Sequence, residues 1–328
     1  MPDATAAARI TRPDGWQILK RNRAAVIALG FLVGLSLLAI VVPMLLPESL
    51  KVTSSASFVP PMQRAEQNSA LHVLGTDVNG QDMLYRILAG ARVSLGVGLV
   101  GALISLAIGT LYGMISGYAG GRVDALMMRT VEVLQSVPRI LFIMILIAAL
   151  DDYVKEWVDG WRLAAQARNW SGLASSMSDL KAYSKVLVMI VSLGLVEWLT
   201  MARIVRGQVL VLREMTFVTA SKAMGQGTWG VLRRHLLPNL STIILTYLTL
   251  TIPAVILDES FLSFLGLGIE DPAASWGSLL KDGAQVINPL ESKWWLLLFP
   301  ALLMSASLLA LNFLGDGLRD AFDPKSGE

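Results

Sequence analysis

The stretch FVTASKAMGQGTWGVLRRHLLPN, Phe217 to Asn239, is a polar interruption between two apolar runs that are each long enough to cross a membrane. Its pattern predicts helix, glycine turn, helix. Ala220, Ala223 and Met224 share a helical face by their spacing, and Gly225-Gln226-Gly227 follows, where the missing side chains permit a tight reversal. Thr228 is placed to cap a second short helix carrying Trp229, Leu232, Arg233 and Leu236. That helix is expected to stop or bend near Pro238, which lacks an amide donor. Two uses fit this unit: a short amphipathic helix packed against its own membrane face, or a helix that docks into another protein.

The surrounding 328-residue chain is 54% hydrophobic with a mean hydropathy of +0.58, too apolar for an ordinary soluble domain. It belongs in a bilayer. A net charge of +2 gives no global reason to expect nucleic acid as a partner. There are no cysteines, which excludes disulfides, thiolate metal sites and cysteine nucleophiles. His72 and His235 lie far apart in different loops, so no histidine metal site is expected.

Taken in order, residues 1–23 are basic and precede an uncharged run, Ala24 to Leu46. A helix rising ~1.5 Å per residue over this run crosses a hydrocarbon core of ~30 Å, and the run exceeds the ~7–15 apolar residues of a signal peptide. An uncleaved first span is expected. Residues 47–90 form a polar loop that contains Asp77 and Asp82, with no third ligand at a spacing suited to a hard cation, so a solvated turn is expected there. The second span, Val93 to Ser116, places Gly101, Ser105, Gly109 and Gly113, with Gly117 just beyond, at every fourth position. This stripe admits the close approach of another helix backbone, from this chain or another.

The third span, Met127 to Leu150, has Glu132, Pro138 and Arg139 inside or near its inner end. Pro138 predicts a kink, and the two charges either snorkel to the interface or mark a functional site. Residues 151–185 are too charged to span, and Trp157, Trp161 and Trp170 suit a helix lying at headgroup level before a flexible connector. The fourth span, Val186 to Met201, leads into the central loop, 202–238. The fifth reaches Phe264 through Pro253 and the pair Asp258 and Glu259, expected near its outer end, and the sixth covers Trp294 to Leu314 before a tail, 315–328. The fold class is thus an all-α integral membrane protein with six transmembrane helices, five of them in a core over 91–314.

Six spans place both termini and the central loop on one side. The segments on that side, 1–23, 117–129, 202–238 and 315–328, hold 15 bases and 8 acids, against 10 bases and 13 acids in 47–90, 151–185 and 263–293. The excess of positive charge marks the side of the central loop as cytoplasmic.

The central loop resembles the EAA loop of ABC-importer membrane subunits, with Ala220, Ser221, Gly225, Leu237 and Pro238 at that family's spacing and Thr219 where it usually has glutamate. Leu74 to Leu95 is similar to the peptide-permease pattern LGTDxxGRDxLxRxxxGARxSL, with Gln81 in place of arginine. Ala202 to Gln208 resembles ARIVRGQ, Glu259 to Gly277 with Pro272 resembles ESFLSFLGLG...P..SWG, and Gly315 to Pro324 resembles GDGLRDxxDP. The likeness runs from about residue 20 to residue 325, except for 151–185.

The resemblance implies the type I ABC-importer permease fold of the dipeptide, oligopeptide and nickel importer family, in a bacterial inner membrane. The implied partners are a homologous permease, two ATP-binding subunits that hold ATP and Mg, an extracytoplasmic solute-binding protein and lipid. Peptides are the implied cargo. Thr219, Ala220, Ser221, Ala223, Met224, Gly225, Gly227, Leu237 and Pro238 become a coupling surface for an ATPase groove. Asp258 and Glu259 lie where an incoming solute passes, or else tie the helix end to the following loop.

Other function classes leave weaker traces. Gly225 to Gly230 matches GxGxxG, but no strand precedes it and a membrane span follows. No GxxxxGK[ST] occurs, so ATP hydrolysis would need another polypeptide. An ion-coupled secondary transporter is the alternative, and it calls for paired intramembrane acids and an internal repeat. A membrane enzyme would need a catalytic cluster, and no His/Asp/Glu group or activated serine is evident.

Overall fold

Asp82 accepts the backbone N–H groups of Leu84 (2.9 Å) and Tyr85 (3.2 Å), and this cap starts α4, Met83–Ala119. The computed structural model describes residues 15–64, 71–168, 183–269, 273–287 and 291–322, with Trp170, Gly172 and Ser175. Before α4 come α1 (Gly15–Arg21), α2 (Arg23–Leu45), α3 (Glu48–Lys51) and a hairpin of β1 (Gln63–Arg64) with β2 (Leu71–His72). After it come α5 (Gly121–Gln135), α6 (Arg139–Ala167), α7 (Ser184–Leu212), α8 (Thr216–Ala223), α9 (Thr228–Val231), α10 (Leu237–Phe264), α11 (Trp276–Gln285) and α12 (Trp295–Phe322). The helices α2, α4, α7, α10 and α12 are long and apolar enough to cross a membrane, and α5 with α6, bent by 90°, meets the same criterion as a pair, which makes six when the pair is counted as one span. The all-α class matches the expectation from sequence, and the number of spans does so with the bent pair counted as one.

The stripe of small residues on α4 packs within this chain. A Cβ added to Gly109 would lie 2.6 Å from Met201 Cβ, one on Gly113 2.5 Å from the Ala202 carbonyl, and one on Gly117 2.9 Å from the Arg206 carbonyl. Here α4 and α7 run side by side in the same direction with their backbones nearly touching. Toward the other end α10 takes over, and a Cβ on Gly98 would lie 2.5 Å from Ile256 Cγ1.

The third span is broken rather than kinked. Helices α5 and α6 meet at 90° across residues 136–138. Met128 and Val131 of α5 pack with Leu199 of α7, whereas Ile143 of α6 packs with Val196, Leu193 and Met189. Both halves therefore climb along α7, and the break falls at the level of Glu197. Helix α6 then runs unbroken to Ala167, so residues 151–167 continue the span and do not form the separate headgroup-level helix expected there. At ~1.5 Å per residue its 29 residues exceed a ~30 Å core.

Two further expectations change in detail. Thr228 is the first residue of α9, and Gly227 occupies the capping position without a side-chain bond. The chain also does not stop near Pro238. A single widened turn, Leu232–Leu236, in which the Leu237 N–H reaches the Leu232 carbonyl, carries α9 into α10 and takes up the missing proline amide within one continuous span.

Asp77 and Asp82 are buried, not solvated, and no group of three or more metal-ligating side chains occurs among the described residues. Asp82 Oδ2 meets His72 Nδ1 at 2.9 Å, while Asp77 Oδ2 pairs with Arg86 at 3.0 Å and its Oδ1 accepts the Asn79 and Gln81 amides. Arg86 also donates to Gln81 Oε1 (3.0 Å) and reaches Asp282 near the end of α11 (3.3 Å). A Gln at position 81 thus serves Arg86 as an acceptor, which the family's arginine could not do.

At the opposite end of the bundle Leu19, Ala25 and Ala321 form one cluster, so α1 and the end of α12 lie together. The expectations for residues 1–14, 65–70, most of 169–182, Pro272, Asp323 and Pro324 lie outside the described residues.

Candidate functional site

The central loop is seated on the helices that it joins. Val218 is fully buried with Val231, Leu232 and Leu236, against Met114 of α4, Val205 and Val209 of α7, and Leu240 of α10. Lys222 Nζ lies 4.7 Å from the centre of the Tyr118 ring. One face of α8 is thereby fixed to the bundle. The other presents Thr219, Ala220, Ala223 and Met224, spaced to cover the opposite side of the helix, and Met224 is 81% exposed. Trp229, 62% exposed, extends this apolar surface beyond the turn.

The turn depends on one glycine. Gly225 has φ +84° with open space around it, so conformation and not crowding calls for glycine. Gly227 has an ordinary φ of −69° and is equally unobstructed. Ser221, grouped with the docking residues by sequence, lies beneath the surface at 1% exposure. Its hydroxyl donates to Gln226 Oε1, which His235 Nε2 also approaches at 2.9 Å, so Ser221 locks the turn from inside. Leu237 and Pro238 are exposed on the first turn of α10.

The acidic pair on α10 divides. Glu259 is completely buried and accepts hydrogen bonds from Ser94 (3.1 Å), Ser260 (3.3 Å) and Ser263 (2.8 Å). Ser94 accepts the Trp276 amide in turn, and Ser263 the Ile269 amide, both at 3.1 Å. This cage joins α10, α4 and the start of α11. Asp258 faces elsewhere: its carboxylate and that of Glu197 on α7 both pair with the guanidinium of Arg139, the first residue of α6. Arg139 therefore does not snorkel to an interface but ties three spans together beside the break. Glu132 pairs with Arg129 on the exposed face of α5.

Residues 109–327 match the family described as binding-protein-dependent transport system inner membrane component. The chain belongs to this family. Residues 13–62 also match the N-terminal transmembrane domain of oligopeptide transport permease C. The dipeptide transport system permease protein DppC of Bacillus subtilis is 41% identical over 313 residues, 95% of this chain and 85% of the relative. The oligopeptide transport system permease protein OppC of Escherichia coli K12 is 41% identical over 314 residues, 94% and 91% of the two chains. That of Haemophilus influenzae is 38% identical over 316 residues, covering 94% and 88%.

The protein is accordingly a permease subunit of an importer that depends on a binding protein, not an enzyme, and the ion-coupled alternative is set aside. Glu197 is the permease residue that sequence reasoning missed. A single acid within the apolar fourth span was the available signal, since intramembrane charge is costly and needs a partner.

Proposed function

We propose that this permease works in a bacterial inner membrane as one half of the translocation path of an ATP-driven peptide importer. A homologous permease supplies the other half, two ATP-binding subunits carry ATP and Mg, and an extracytoplasmic binding protein delivers the solute. The observation that carries this reading is the two-sided α8, buried on the face of Val218 and Ser221 and open on the face of Ala220, Ala223 and Met224. A short helix fixed to the ends of three spans moves with them, so a partner docked on its open face would be coupled to the path. The charge asymmetry supports a cytoplasmic position for this loop, for 1–23 and for 315–328, with 47–90 and 151–185 outside. Peptide cargo rests on the named relatives.

The test is uptake by the complete complex in proteoliposomes. Accumulation of a tripeptide should require ATP and the binding protein and should survive collapse of ion gradients; uptake driven by a gradient without ATP would overturn the reading. Orientation is read separately on this cysteine-free chain. Ser55→Cys and Gln166→Cys should react with an impermeant thiol reagent from outside, and Gly227→Cys only after the membrane is opened.

A further inference from the structure

The break in the third span, the cavity beside it and the charges around that cavity lie outside the open face of α8. Backbone that leaves helical geometry at membrane depth persists only where protein or water covers it. Residues 136–138 are exposed at such a depth, because Glu197 beside them lies nine residues from Arg206, or ~13 Å along α7, and 13 residues from the other end of that helix. The Arg139 side chain is 44% exposed at the same level, where contact with acyl chains is costly. This face therefore meets water or protein.

Here a cavity of about 330 Å³, within the size range of small-ligand sites, is lined by Gln135, Ser136, Arg139, Glu197, Thr200 and Arg203. Its charges are ordered. At one end Glu197 of the lining and Asp258, which lies outside it, share the single guanidinium of Arg139, which leaves negative charge in excess. Arg203 lies six residues further along α7, ~9 Å toward the central loop, and has no ion-pair partner among the described residues. In the same lining Gln135 Oε1 is a buried acceptor without a hydrogen-bond partner among the described residues. An extended chain of about three residues, at ~3.3 Å each, has its ammonium and carboxylate separated by a comparable distance.

We propose that the cavity at the α5–α6 break is a water-filled contact site in the translocation path for short zwitterionic peptides. The ammonium end meets Glu197, with Asp258 adding negative charge from behind Arg139, and the carboxylate end meets Arg203. A mobile solute group can compete with Arg139 for its two carboxylates, so the site holds cargo only transiently. This assignment rests on the peptide-importer reading for its ligand, though not for its accessibility or its charge order.

The test uses the complete importer in membrane vesicles with Ser136→Cys as the unique thiol of this chain. Small cationic and anionic methanethiosulfonates should both label it. Adding Glu197→Gln with Asp258→Asn should slow the cationic reagent at least fivefold, and adding Arg203→Gln should slow the anionic one at least fivefold. Excess trialanine should slow labelling at least threefold, whereas N-acetyl-trialanine amide should not. Failure of both reagents to label Ser136→Cys would overturn the proposal, as would rates indifferent to either charge change in variants that elute as intact complexes. Arg203→Gln removes no ion pair, so it decides the matter if the carboxylate variant does not assemble. Labelling needs no transport, so an importer that carries no peptide would overturn the cargo reading while the labelling still decides the site.

Discussion

Arg206 on α7 grips Asp124 on α5 through two parallel hydrogen bonds, Nε to Oδ1 at 2.9 Å and Nη2 to Oδ2 at 2.6 Å. Ser116 of α4 donates to the same Oδ1 at 2.5 Å. Three helices are thereby pinned where the central loop begins. Arg213, at the end of α7, adds a bond to the Gly117 carbonyl at 3.0 Å.

Asp124→Ala leaves Arg206 and Ser116 without their acceptor, and loss of a charged hydrogen-bond partner costs about 1–3 kcal/mol. The side chain of Arg206 is 35% exposed, so the lower half of that range is expected. Arg206→Lys should not preserve the clamp, since an ammonium cannot supply the planar fork. Thermal unfolding in detergent checks both, and an unchanged midpoint for Asp124→Ala would show that the clamp adds nothing to stability.

Gly113→Leu should disrupt the bundle. Its Cβ would press on the Ala202 carbonyl and on Val205 Cβ at 2.8 Å, so α4 and α7 must separate. Overpacking costs about 1–3 kcal/mol where side chains can yield, and backbone yields less. Gly30→Ala on α2, with nothing within 4 Å of the new Cβ, is the control and should be neutral. The yield of monodisperse protein separates the two.

Ala220→Glu places a charge on the open face of α8, where a desolvated carboxylate without a partner should cost about 2 kcal/mol or more of docking. Gly225→Val strains a position at φ +84° and should misplace that face. Both variants should insert and pair with the partner permease, yet lose the ATP-binding subunits on purification and lose solute-stimulated hydrolysis. Thr219→Glu should be tolerated, because the EAA loop that this stretch resembles usually carries glutamate at that position. Retention of the ATPases and of coupling by both disruptive variants would sink the coupling assignment.

Glu259→Gln keeps the shape of the serine cage and one of its two acceptor oxygens. Peptide uptake should fall by less than tenfold, equally for neutral and cationic peptides. A loss confined to cationic peptides, with normal assembly, would instead make Glu259 a charge of the path.

Much of this architecture follows from local patterns. Runs of apolar residues set the number of spans, because a bilayer demands about 20 of them per helix. The spacing of Ala220, Ala223 and Met224 marked a common face, because a helix repeats every 3.6 residues. The absence of a phosphate loop and of cysteine bounded the chemistry before any fold was known.

Tertiary structure decided what each pattern faces. Ser221 and Ala220 are neighbours with the same family resemblance, yet the bundle buries one and leaves the other open. The glycines of α4 announced a close neighbour, but only the packed chain selects α7. Asp258 and Glu259 are adjacent in sequence and sit about 100° apart on their helix, so one joins Arg139 and Glu197 while the other enters the serine cage. Periodicity is a property of one helix and says which residues share a side. Burial, charge pairing and the level of a break are set by partners far away in sequence, such as Asp258 for Arg139, 119 residues on, or Asp282 for Arg86, 196 residues on, and those partners are chosen only when the spans pack together.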